Sequence, residues 1–413
     1  MLSSSSNTRM GTEVSAPGRA VRSRSLSVLH VYTEHRGRGG AERFAEVNMQ
    51  ICRERNYRVG LFTRTSHDLP PGLQGRFQAG IGAIYESRSL AAFAAELDSF
   101  QPDVVHLYDY FPLISPWIAP LCVKRGIPIV MHCVHYRLTC PVATHFSHGE
   151  CCTRCTGGRE YWAVLRNCRG SLTESITVAA HNALMRISRP LTDHVSRFIA
   201  PSEFTRRWLV EHSGVEARRI ASVMPFVDIP QTGIDASRGE YIAFAGRFAE
   251  EKGIQVFLDA AKLSGLPCRF CRNQDHAVRV QLPEGVSEVV TGNRAELDAF
   301  YRGARMLVFP SIWFETFGLV GAEAMSHGLP VIAPNFGALA DLVEDEISGL
   351  LFRTGDAADL AAKMTRMWND GDLCRRMGFA ARKRAIANWT VDRYFEQLDS
   401  LYDEVILEMR KRS

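Results

Sequence analysis

The sequence predicts an α/β protein built from two doubly wound domains, each with a parallel sheet, and three observations predict it. Short apolar runs alternate with helical patterns along the chain, which is typical of parallel sheets. The alternation begins twice, first at Leu26 and again at Glu240. The chain has 413 residues, which is too long for one compact core but comfortable for two domains of about 200 residues each.

The composition is that of an ordinary soluble globular protein, with 46% hydrophobic residues, 23% charged residues and a net charge of +4. No basic stripe with interleaved aromatic residues occurs, so we expect no nucleic-acid partner. No apolar run reaches the roughly 20 residues that a membrane-spanning helix needs. Since no secretory signal is recognisable, we expect a cytoplasmic protein whose eleven cysteines are thiols or metal ligands.

The expected organisation has five segments. Residues 1–25 form a disordered basic tail, residues 26–227 form a Rossmann-like domain, and residues 228–240, with Pro, Gly, Ser and charges, form a linker. Residues 241–388 form a second Rossmann-like domain, and residues 389–413 form a long charged helix.

The first domain begins with a predicted strand over residues 26–33, a glycine-rich turn and a helix that reaches Cys52. Gly39 and Gly40 lie in that turn, where the need for a positive φ would by itself explain glycine. The strands that follow are predicted over residues 57–63, 103–107 and 126–132.

A group of five cysteines lies in residues 140–168. Cys152 and Cys155 form a C-x-x-C pair, and Cys140 and Cys168 lie about a dozen residues away on either side. These four thiols make a plausible tetrahedral set for a structural zinc that staples a loop, and the fifth cysteine is spare. An iron–sulfur cluster and free thiols remain alternatives, because the spacing is not that of a named zinc finger.

The helix predicted over residues 172–187 carries apolar residues at Ile176, Ala180, Leu184 and Ile187, with arginines beside them. A basic amphipathic helix can rest on anionic lipid. The alternative is that its apolar face packs against the domain core and its basic end is solvated, and the sequence favours this second interpretation.

The second half opens with a buried strand that delivers Gly246 and Arg247 to the edge of the sheet, and Lys252 follows before a helix. Two cations that flank a turn suit a diphosphate, because arginine can bridge two oxygens while lysine places a point charge. A solvated charged turn is the alternative.

Residues 309–337 are the most informative stretch. A short apolar strand ends at Pro310, a polar turn follows, and an apolar helix begins near Gly318. The N-terminus of such a helix presents unpaired backbone N–H groups and a positive dipole end, which suit a phosphate. Glu315 and Glu323 lie about two turns apart at ~3.6 residues per turn, so both are predicted to line one cleft.

Together these motifs resemble the donor-site signature of the retaining glycosyltransferases of family 4, which have the GT-B fold. The resemblance rests on the turn with Gly39 and Gly40, on the Gly-Arg and Glu-Lys-Gly sequences of residues 246–253, and on the Glu315-x7-Glu323 pattern. It covers nearly the whole chain. It implies two domains that face each other across a cleft and a last helix that crosses back to the first domain.

The resemblance also implies roles for individual residues. The donor is a nucleoside diphosphate sugar and no catalytic metal is expected, since Arg247, Lys252 and the helix N-terminus would stabilise the departing diphosphate. Glu315 would bind a hydroxyl of the donor sugar, and Glu323 would bind the ribose. The implied donor-binding residues are Gly39, Gly40, Gly246, Arg247, Lys252, Glu315, Thr316, Phe317, Gly318, Leu319, Val320 and Glu323.

One bacterial branch of the family has a histidine, then Asn or Asp, then Tyr-Arg, just before a Cys-Pro pair. Counting back from the pair that begins at Cys140 places Val134 at the usual histidine position. His132 and His135 are therefore both candidates for an active-site histidine. The alternative for each is a strand-end histidine that is hydrogen-bonded to the backbone.

The implied reaction transfers a sugar to a hydroxyl of a saccharide or lipid-linked acceptor with retention of configuration, in the assembly of cell-surface polysaccharides or glycoconjugates. The cysteine loop would cover the acceptor cleft, and a lipid-linked acceptor would bring the protein to the inner face of the membrane. Two alternatives are a non-transferring enzyme of the sugar nucleotide epimerase type and a non-catalytic subunit that binds nucleotide sugars.

Overall fold

The computed structural model describes residues 25–35, 40–65, 86–273 and 282–412. These residues form two α/β domains, each built on a six-stranded parallel sheet, and they confirm the predicted fold class. A two-stranded antiparallel ribbon in the cysteine-rich loop is the third sheet of the described chain.

In the first domain the order of the main sheet places strand 1 between strands 2 and 3, and the sheet then continues through strands 4, 7 and 8. The strands of the first domain are β1 (Ser27–Glu34), β2 (Arg58–Thr65), β3 (Val104–Asp109), β4 (Ile129–His132), β5 (Phe146–Ser147), β6 (Glu150–Cys151), β7 (Arg197–Ala200) and β8 (Ile220–Ser222). Strands β5 and β6 form the separate ribbon. Its helices are α1 (Gly40–Glu54), α2 (Ser87–Phe100), α3 (Ile118–Lys124), α4 (Tyr161–Leu165), α5 (Leu172–Ser188) and α6 (Glu203–His212).

In the second domain the first strand lies at the centre of the sheet. Its strands are β9 (Tyr241–Ala245), β10 (Cys268–Asn273), β11 (Val286–Thr291), β12 (Ala304–Val308), β13 (Val331–Pro334) and β14 (Gly349–Phe352), in the order β11-β10-β9-β12-β13-β14. The helices are α7 (Ile254–Ser264), α8 (Arg294–Gly303), α9 (Leu319–His327), α10 (Gly337–Leu342), α11 (Ala357–Asn369), α12 (Gly371–Asn388) and α13 (Val391–Arg412).

The inner strands of both sheets are almost wholly buried because helices cover both faces, which is why they read as continuous apolar runs, whereas the edge strands β2 and β11 are partly exposed. The last helix, α13, packs on the first domain, where Tyr394 and Tyr402 join a core that contains Val28 and Phe44. Asn48 of α1 donates a hydrogen bond of 2.6 Å from its Nδ2 to the Tyr394 hydroxyl. The two domains are thus joined by the end of the chain as well as by the linker.

Candidate active site

A cleft between the two domains forms a cavity of about 1190 Å3. Residues that follow strands of both sheets line it, among them His35 after β1, Gly246 after β9 and Phe309 after β12. The carboxyl ends of parallel strands are the usual ligand-binding edge of such sheets. The predicted residues that line this cavity are Gly40, His132, His135, Gly246, Arg247, Lys252, Glu315, Thr316, Phe317, Gly318, Leu319, Val320 and Glu323. Gly39 lies outside the described residues.

The turn after β9 carries the two predicted cations. Arg247 Nη2 lies 3.1 Å from Glu251 Oε1, and about half of the arginine side chain is exposed. A single 3₁₀ turn then brings Lys252 Nζ to 2.7 Å from Glu315 Oε1. Each cation is therefore paired with a carboxylate while both border the cavity.

Glu315 is a buried carboxylate in the loop between β12 and α9. Its Oε1 accepts hydrogen bonds of 2.7 Å from both Lys252 Nζ and Ser311 Oγ. Burial opposes ionisation of this carboxyl group, but Lys252 together with hydrogen bonds from Trp313 and Ser311 outweighs it, so the pKa of Glu315 lies below its usual value. At neutral pH the site thus holds a fixed negative charge that can accept a hydrogen bond from a ligand hydroxyl.

The loop that carries Glu315 is held by the first domain. The Tyr136 hydroxyl donates to the Glu315 carbonyl at 3.1 Å, and Thr205 Oγ1 donates to the Thr316 carbonyl at 3.0 Å. Phe314 packs against Tyr136 in a small aromatic cluster that spans the two domains. Both domains therefore determine where the carboxylate lies.

Glu323 lies one turn into α9 and faces α8. Arg294 Nη1 is 3.4 Å from one carboxylate oxygen of Glu323, and the Tyr301 hydroxyl donates to the other at 3.4 Å. Burial raises the pKa of Glu323, and Arg294 opposes this effect only in part. His327 connects the two helices, because it contacts the Glu323 carbonyl through Nδ1 at 2.8 Å and Asp298 through Nε2 at 2.7 Å.

On the side of the first domain, Asp109 lies between two histidines. His35 Nε2 is 3.2 Å from one carboxylate oxygen, and His135 Nε2 is 3.1 Å from the other in an ion pair without a well-aligned hydrogen bond. Burial would raise the pKa of Asp109, but the two histidines and Arg137 hold it well below its usual range. The hydrogen bond to Asp109 also raises the pKa of His35 against the effect of burial. This unit presents imidazole groups to the cavity around a fixed negative charge.

His132, the other candidate histidine, ends β4 and is 2% exposed. Its ring centroid lies 5.8 Å from that of His106 and 5.9 Å from that of Tyr108, both stacked, and 5.1 Å from that of Phe44 in an edge-on arrangement. Burial lowers the pKa of His132 to about 3, so the ring is neutral at neutral pH. His132 is therefore part of the core that borders the cavity, whereas His135 lies in the loop beyond the strand.

The four cysteines predicted to bind zinc form no disulfide bond. Burial raises the pKa of the Cys155 thiol to about 12, and the neighbouring Cys140, Cys168 and Cys152 add to this effect. Over the ranges that the structure describes, no three His, Cys, Asp or Glu side chains are grouped so that they could hold a metal ion. The geometry thus does not support the zinc site, which stays a prediction; an elemental analysis with far less than one equivalent of zinc or iron would exclude it.

Gly253 places Lys252 against the strand ends, and alanine there should destabilise the protein. The residue has φ +70°, and a Cβ would lie 1.9 Å from the Pro310 carbonyl oxygen. Steric overlap costs about 1–3 kcal/mol and the left-handed backbone about 1 kcal/mol more, so Gly253→Ala should lower the free energy of unfolding by about 2–4 kcal/mol. Gly265→Ala is the matched control, because Gly265 ends the same helix at φ +63° with open space around its Cβ position. Equal losses in urea unfolding of both variants would contradict the close contact.

Several cleft residues were not singled out from the sequence. Asp109 ends β3 and His35 follows β1, and their place at the end of an apolar strand is a signal that could have identified them. Arg43 in the first turn of α1 borders the cavity and is close enough to Glu323 to lower its pKa across the cleft. Arg294 follows the cap of α8, and no local pattern marks it as a partner of Glu323.

Two family models match the chain, one for each domain. The model described as Glycosyltransferase Family 4 matches residues 38–231, and the model described as Glycosyl transferases group 1 matches residues 229–384. The boundary between the matches falls in the linker region. Together they include every cleft residue described above except His35.

Curated relatives match part of the chain. A phosphatidyl-myo-inositol mannosyltransferase of Mycobacterium leprae is 29% identical over 250 residues, which cover 57% of this chain and 65% of the relative. A D-inositol 3-phosphate glycosyltransferase of Nocardia farcinica is 31% identical over 215 residues, which cover 45% of this chain and 48% of the relative. The matches thus span about half to two thirds of the length of these relatives.

Solved structures share the fold over nearly the whole chain. Sucrose-phosphate synthase from Thermosynechococcus elongatus superimposes with a TM-score of 0.68 at 17% identity and covers 93% of this chain and 100% of its own. The Anabaena protein HepE in complex with UDP and glucose superimposes with a TM-score of 0.60 at 17% identity over 92% of this chain and 100% of its own. These likenesses establish the GT-B fold. No helix among the described residues is long and apolar enough to cross a membrane.

Proposed function

We propose that this chain, a member of the glycosyltransferase class whose two family models match its two domains, transfers a sugar from a nucleoside diphosphate sugar to an acceptor hydroxyl. The observation that carries the proposal is the cleft itself. Two cations, a helix N-terminus, the buried Glu315 and the half-buried Glu323 of the second domain face histidines of the first domain across one cavity. HepE, which shares this fold, binds UDP and glucose in its own structure.

The donor would bind to the second domain. Its diphosphate would lie between Arg247, Lys252 and the first turn of α9, where cations and backbone N–H groups suit phosphate oxygens. Glu323 would accept hydrogen bonds from the ribose, and Glu315 would accept one from the donor sugar, which its low pKa favours. Because Lys252 contacts Glu315 directly, the sugar and the diphosphate would meet at this ion pair.

Breaking the bond between the sugar and the diphosphate leaves negative charge on the diphosphate. Lys252, Arg247 and the N-terminus of α9 would stabilise that charge in a cleft from which water is largely excluded. We propose that the acceptor hydroxyl attacks from the face that the leaving group departs from, so that the anomeric configuration is retained. These groups supply the charge stabilisation without a metal ion.

The acceptor would lie on the side of the first domain, against His35 and His135. Asp109 contacts both rings through its two oxygens, which leaves His35 Nδ1 for a hydroxyl of the acceptor, whereas His135 Nδ1 accepts a hydrogen bond of 3.4 Å from the Arg137 N–H. Val134 occupies the position at which the related bacterial branch has histidine, and His135 is the neighbouring residue that points to the carboxylate. We propose a saccharide or a lipid-linked saccharide as the acceptor, in the assembly of cell-surface glycans.

A thermal-shift screen with sugars of UDP, GDP and ADP tests the donor half of this proposal. A ligand at a hundred times its dissociation constant should stabilise the folded state by about 2.7 kcal/mol, so one base should stand out clearly. Release of the nucleoside diphosphate that depends on an added saccharide then tests transfer. Conversion of the nucleotide sugar without any acceptor would indicate the epimerase type, and binding without release would indicate a non-catalytic subunit.

Replacing Glu323 by glutamine should weaken donor binding at least tenfold and leave turnover at saturation within a few fold. The carboxylate would contact the nucleoside, whose contacts with the protein are the same in the ground state and in the transition state. Losing a contact of this kind raises KM and leaves kcat unchanged. Initial rates over a range of donor concentrations measure both constants. Glu211→Gln is the control, because its side chain is 74% exposed on α6 away from the cavity. A tenfold fall in kcat with unchanged KM would place Glu323 at the reacting centre instead.

A further inference from the structure

The cysteine-rich part of the first domain exposes an unusual amount of apolar surface. Fourteen large apolar side chains are exposed in the described chain. Five of them lie within residues 161–187. These five, which we name the hairpin face, are Tyr161 (54% exposed), Leu165 (69%), Leu172 (58%), Ile176 (49%) and Ile187 (68%). Such a concentration marks an interaction surface rather than scattered surface residues.

The orientation of α5 is the reverse of that of an ordinary surface helix. Positions 172, 176, 180, 183 and 187 all carry Leu, Ile or Ala and fall within about 80° of the helix circumference at 100° per residue. That stripe faces solvent, whereas Ser175, Val178, Ala179, His181 and Asn182, which lie outside the stripe, are buried. The expected packing of the face with Ile176 and Ile187 against the core is therefore wrong.

Hydrogen bonds explain why the polar face is inside. Asn182 Nδ2 donates to the Arg137 carbonyl at 2.7 Å, and His181 Nε2 lies 3.3 Å from the Tyr110 hydroxyl. Ser175 Oγ donates to Asn167 Oδ1 at 3.1 Å in the turn before the helix. A rotation of α5 that buried its apolar stripe would leave these polar groups without partners, which costs about 1–3 kcal/mol for each buried group.

The two helices α4 and α5 form one antiparallel unit. Glu160, just before α4, accepts a hydrogen bond of 2.7 Å from Arg186 Nε near the end of α5, while Asn167 bonds to Ser175 at the other end. The helix α4 therefore lies alongside α5. The inner face of the unit contacts Arg137 and Tyr110, which adjoin His135 and Asp109 of the acceptor side.

The surroundings of the hairpin face are basic. Residues 150–193 contain six arginines and four acidic residues, a net charge of +2, and no lysine. The side chains of Arg154, Arg169, Arg186 and Arg189 are each between 43% and 50% exposed, and each is also paired with a carboxylate at 2.7–4.0 Å, so the positive excess of the region is small. Apolar side chains, a tyrosine and a rim of arginines are the composition of helices that lie in the interface of an anionic bilayer.

We propose that the hairpin face docks on the surface of an anionic lipid bilayer, with α5 lying in the plane of the interface. The stripe is about 22 Å long at 1.5 Å per residue, and a band one helix wide offers a few hundred Å2, whereas a stable dimer needs about 800 Å2 from each partner. Lipid therefore fits this surface better than a second copy of the chain. If the proposed transfer to a lipid-linked acceptor is correct, the docking would also place the acceptor side of the cleft next to the membrane.

Sedimentation with lipid vesicles tests the docking without any substrate. The full chain should bind vesicles of mixed phosphatidylcholine and phosphatidylglycerol and bind those of phosphatidylcholine alone at least tenfold more weakly. The variant with Leu165, Leu172, Ile176 and Ile187 all changed to Gln should lose at least tenfold in binding to the mixed vesicles. The control changes Phe379 and Ile386 of α12 to Gln, since these are 75% and 47% exposed on the other domain, and it should bind as the unchanged protein does.

Two results would overturn the docking. One is equal vesicle binding by the four-residue variant and the unchanged protein. The other is a dimer, detected by light scattering in the absence of lipid, that the variant abolishes, because the face would then be an interface between copies. Release of nucleoside diphosphate with a water-soluble acceptor should be unchanged in the variant, so failure of the docking and failure of the proposed transfer are told apart.

Discussion

Replacing Lys252 by methionine should lower kcat about a hundredfold or more while the protein remains folded. The ammonium group lies 2.7 Å from the Glu315 carboxylate and 4.8 Å from the centre of the Trp313 ring, so its position is fixed before any ligand binds. Removing one such preorganised charge from an active site typically costs about 10²–10³ in rate. The rate of nucleoside diphosphate release at saturating donor and acceptor measures the effect.

Loss of Lys252 also leaves Glu315 buried without its cation, and a second variant separates this effect from catalysis. In Lys252→Met the burial that opposes ionisation of Glu315 is no longer offset by the lysine, so the melting temperature should fall. Adding Glu315→Gln should restore stability but not kcat. Lys262→Met is the matched control, since Lys262 is exposed on α7. Full recovery of kcat in the double variant would show that the lysine only neutralises Glu315 and does not act on the departing group.

The second-domain side of the cleft was largely predictable because its signals are local. Arg247 and Lys252 lie in one turn after a strand, and Glu315 and Glu323 bracket a single loop and helix start. Each short segment therefore carries its own chemistry, and the parallel sheet brings the segments together at the ends of neighbouring strands. What the sequence could not supply was the pairing of Lys252 with Glu315, which join β9 and β12 across 63 residues.

The first-domain side of the cleft was predicted less well because its residues meet only through the order of the sheet. His35 and Asp109 are 74 residues apart and come together because β1 lies beside β3. Each lies at or just after the end of an apolar strand, but that position alone does not show that the two residues meet. The helix α5 was misjudged for a related reason, since periodicity finds an apolar stripe but does not say which way it faces. The polar contacts of Asn182 and His181 with distant segments decide that orientation.

A second large effect is expected from acid, because the first domain buries three stacked histidines. His30, His106 and His132 lie on the adjacent strands β1, β3 and β4 beneath α13, with ring centroids 5.7 Å and 5.8 Å apart in succession. Tyr108 stacks on His106 at 4.3 Å, and the Tyr402 hydroxyl of α13 contacts His106 Nδ1. One ring nitrogen of each histidine has no hydrogen-bond partner. A proton added there would be a buried charge beside two other rings.

The direction of the pH dependence follows from the pKa values. Burial, with Arg53 adding to it, lowers the pKa of His30 to about 3, and burial alone lowers that of His132 to about 3. The pKa of His106 is lowered well below its usual value by burial and by its two neighbours. The unfolded chain takes up protons near pH 6.5, so stability should be full above about pH 6.5 and should fall as the pH drops from there towards about 3. At about pH 5 each of His30 and His132 should cost about 2 kcal/mol, a large part of the 5–15 kcal/mol that typically holds a domain folded.

Thermal unfolding between about pH 7.5 and about pH 5 should therefore show a fall of about 10 °C in the melting temperature of the first domain. His30→Gln should reduce this fall by about a third to a half, because glutamine cannot take up the proton. Glutamine can still contact the Tyr108 hydroxyl, which lies 3.1 Å from His30 Nδ1. His148→Gln is the control, since that histidine is exposed in the cysteine-rich loop. If His30→Gln lowered the melting temperature equally at both pH values, the acid sensitivity would come from other groups. The stack contacts α13 through Tyr402 and ends at the cleft with His132, so its protonation should loosen the last helix and the first-domain side of the cleft together.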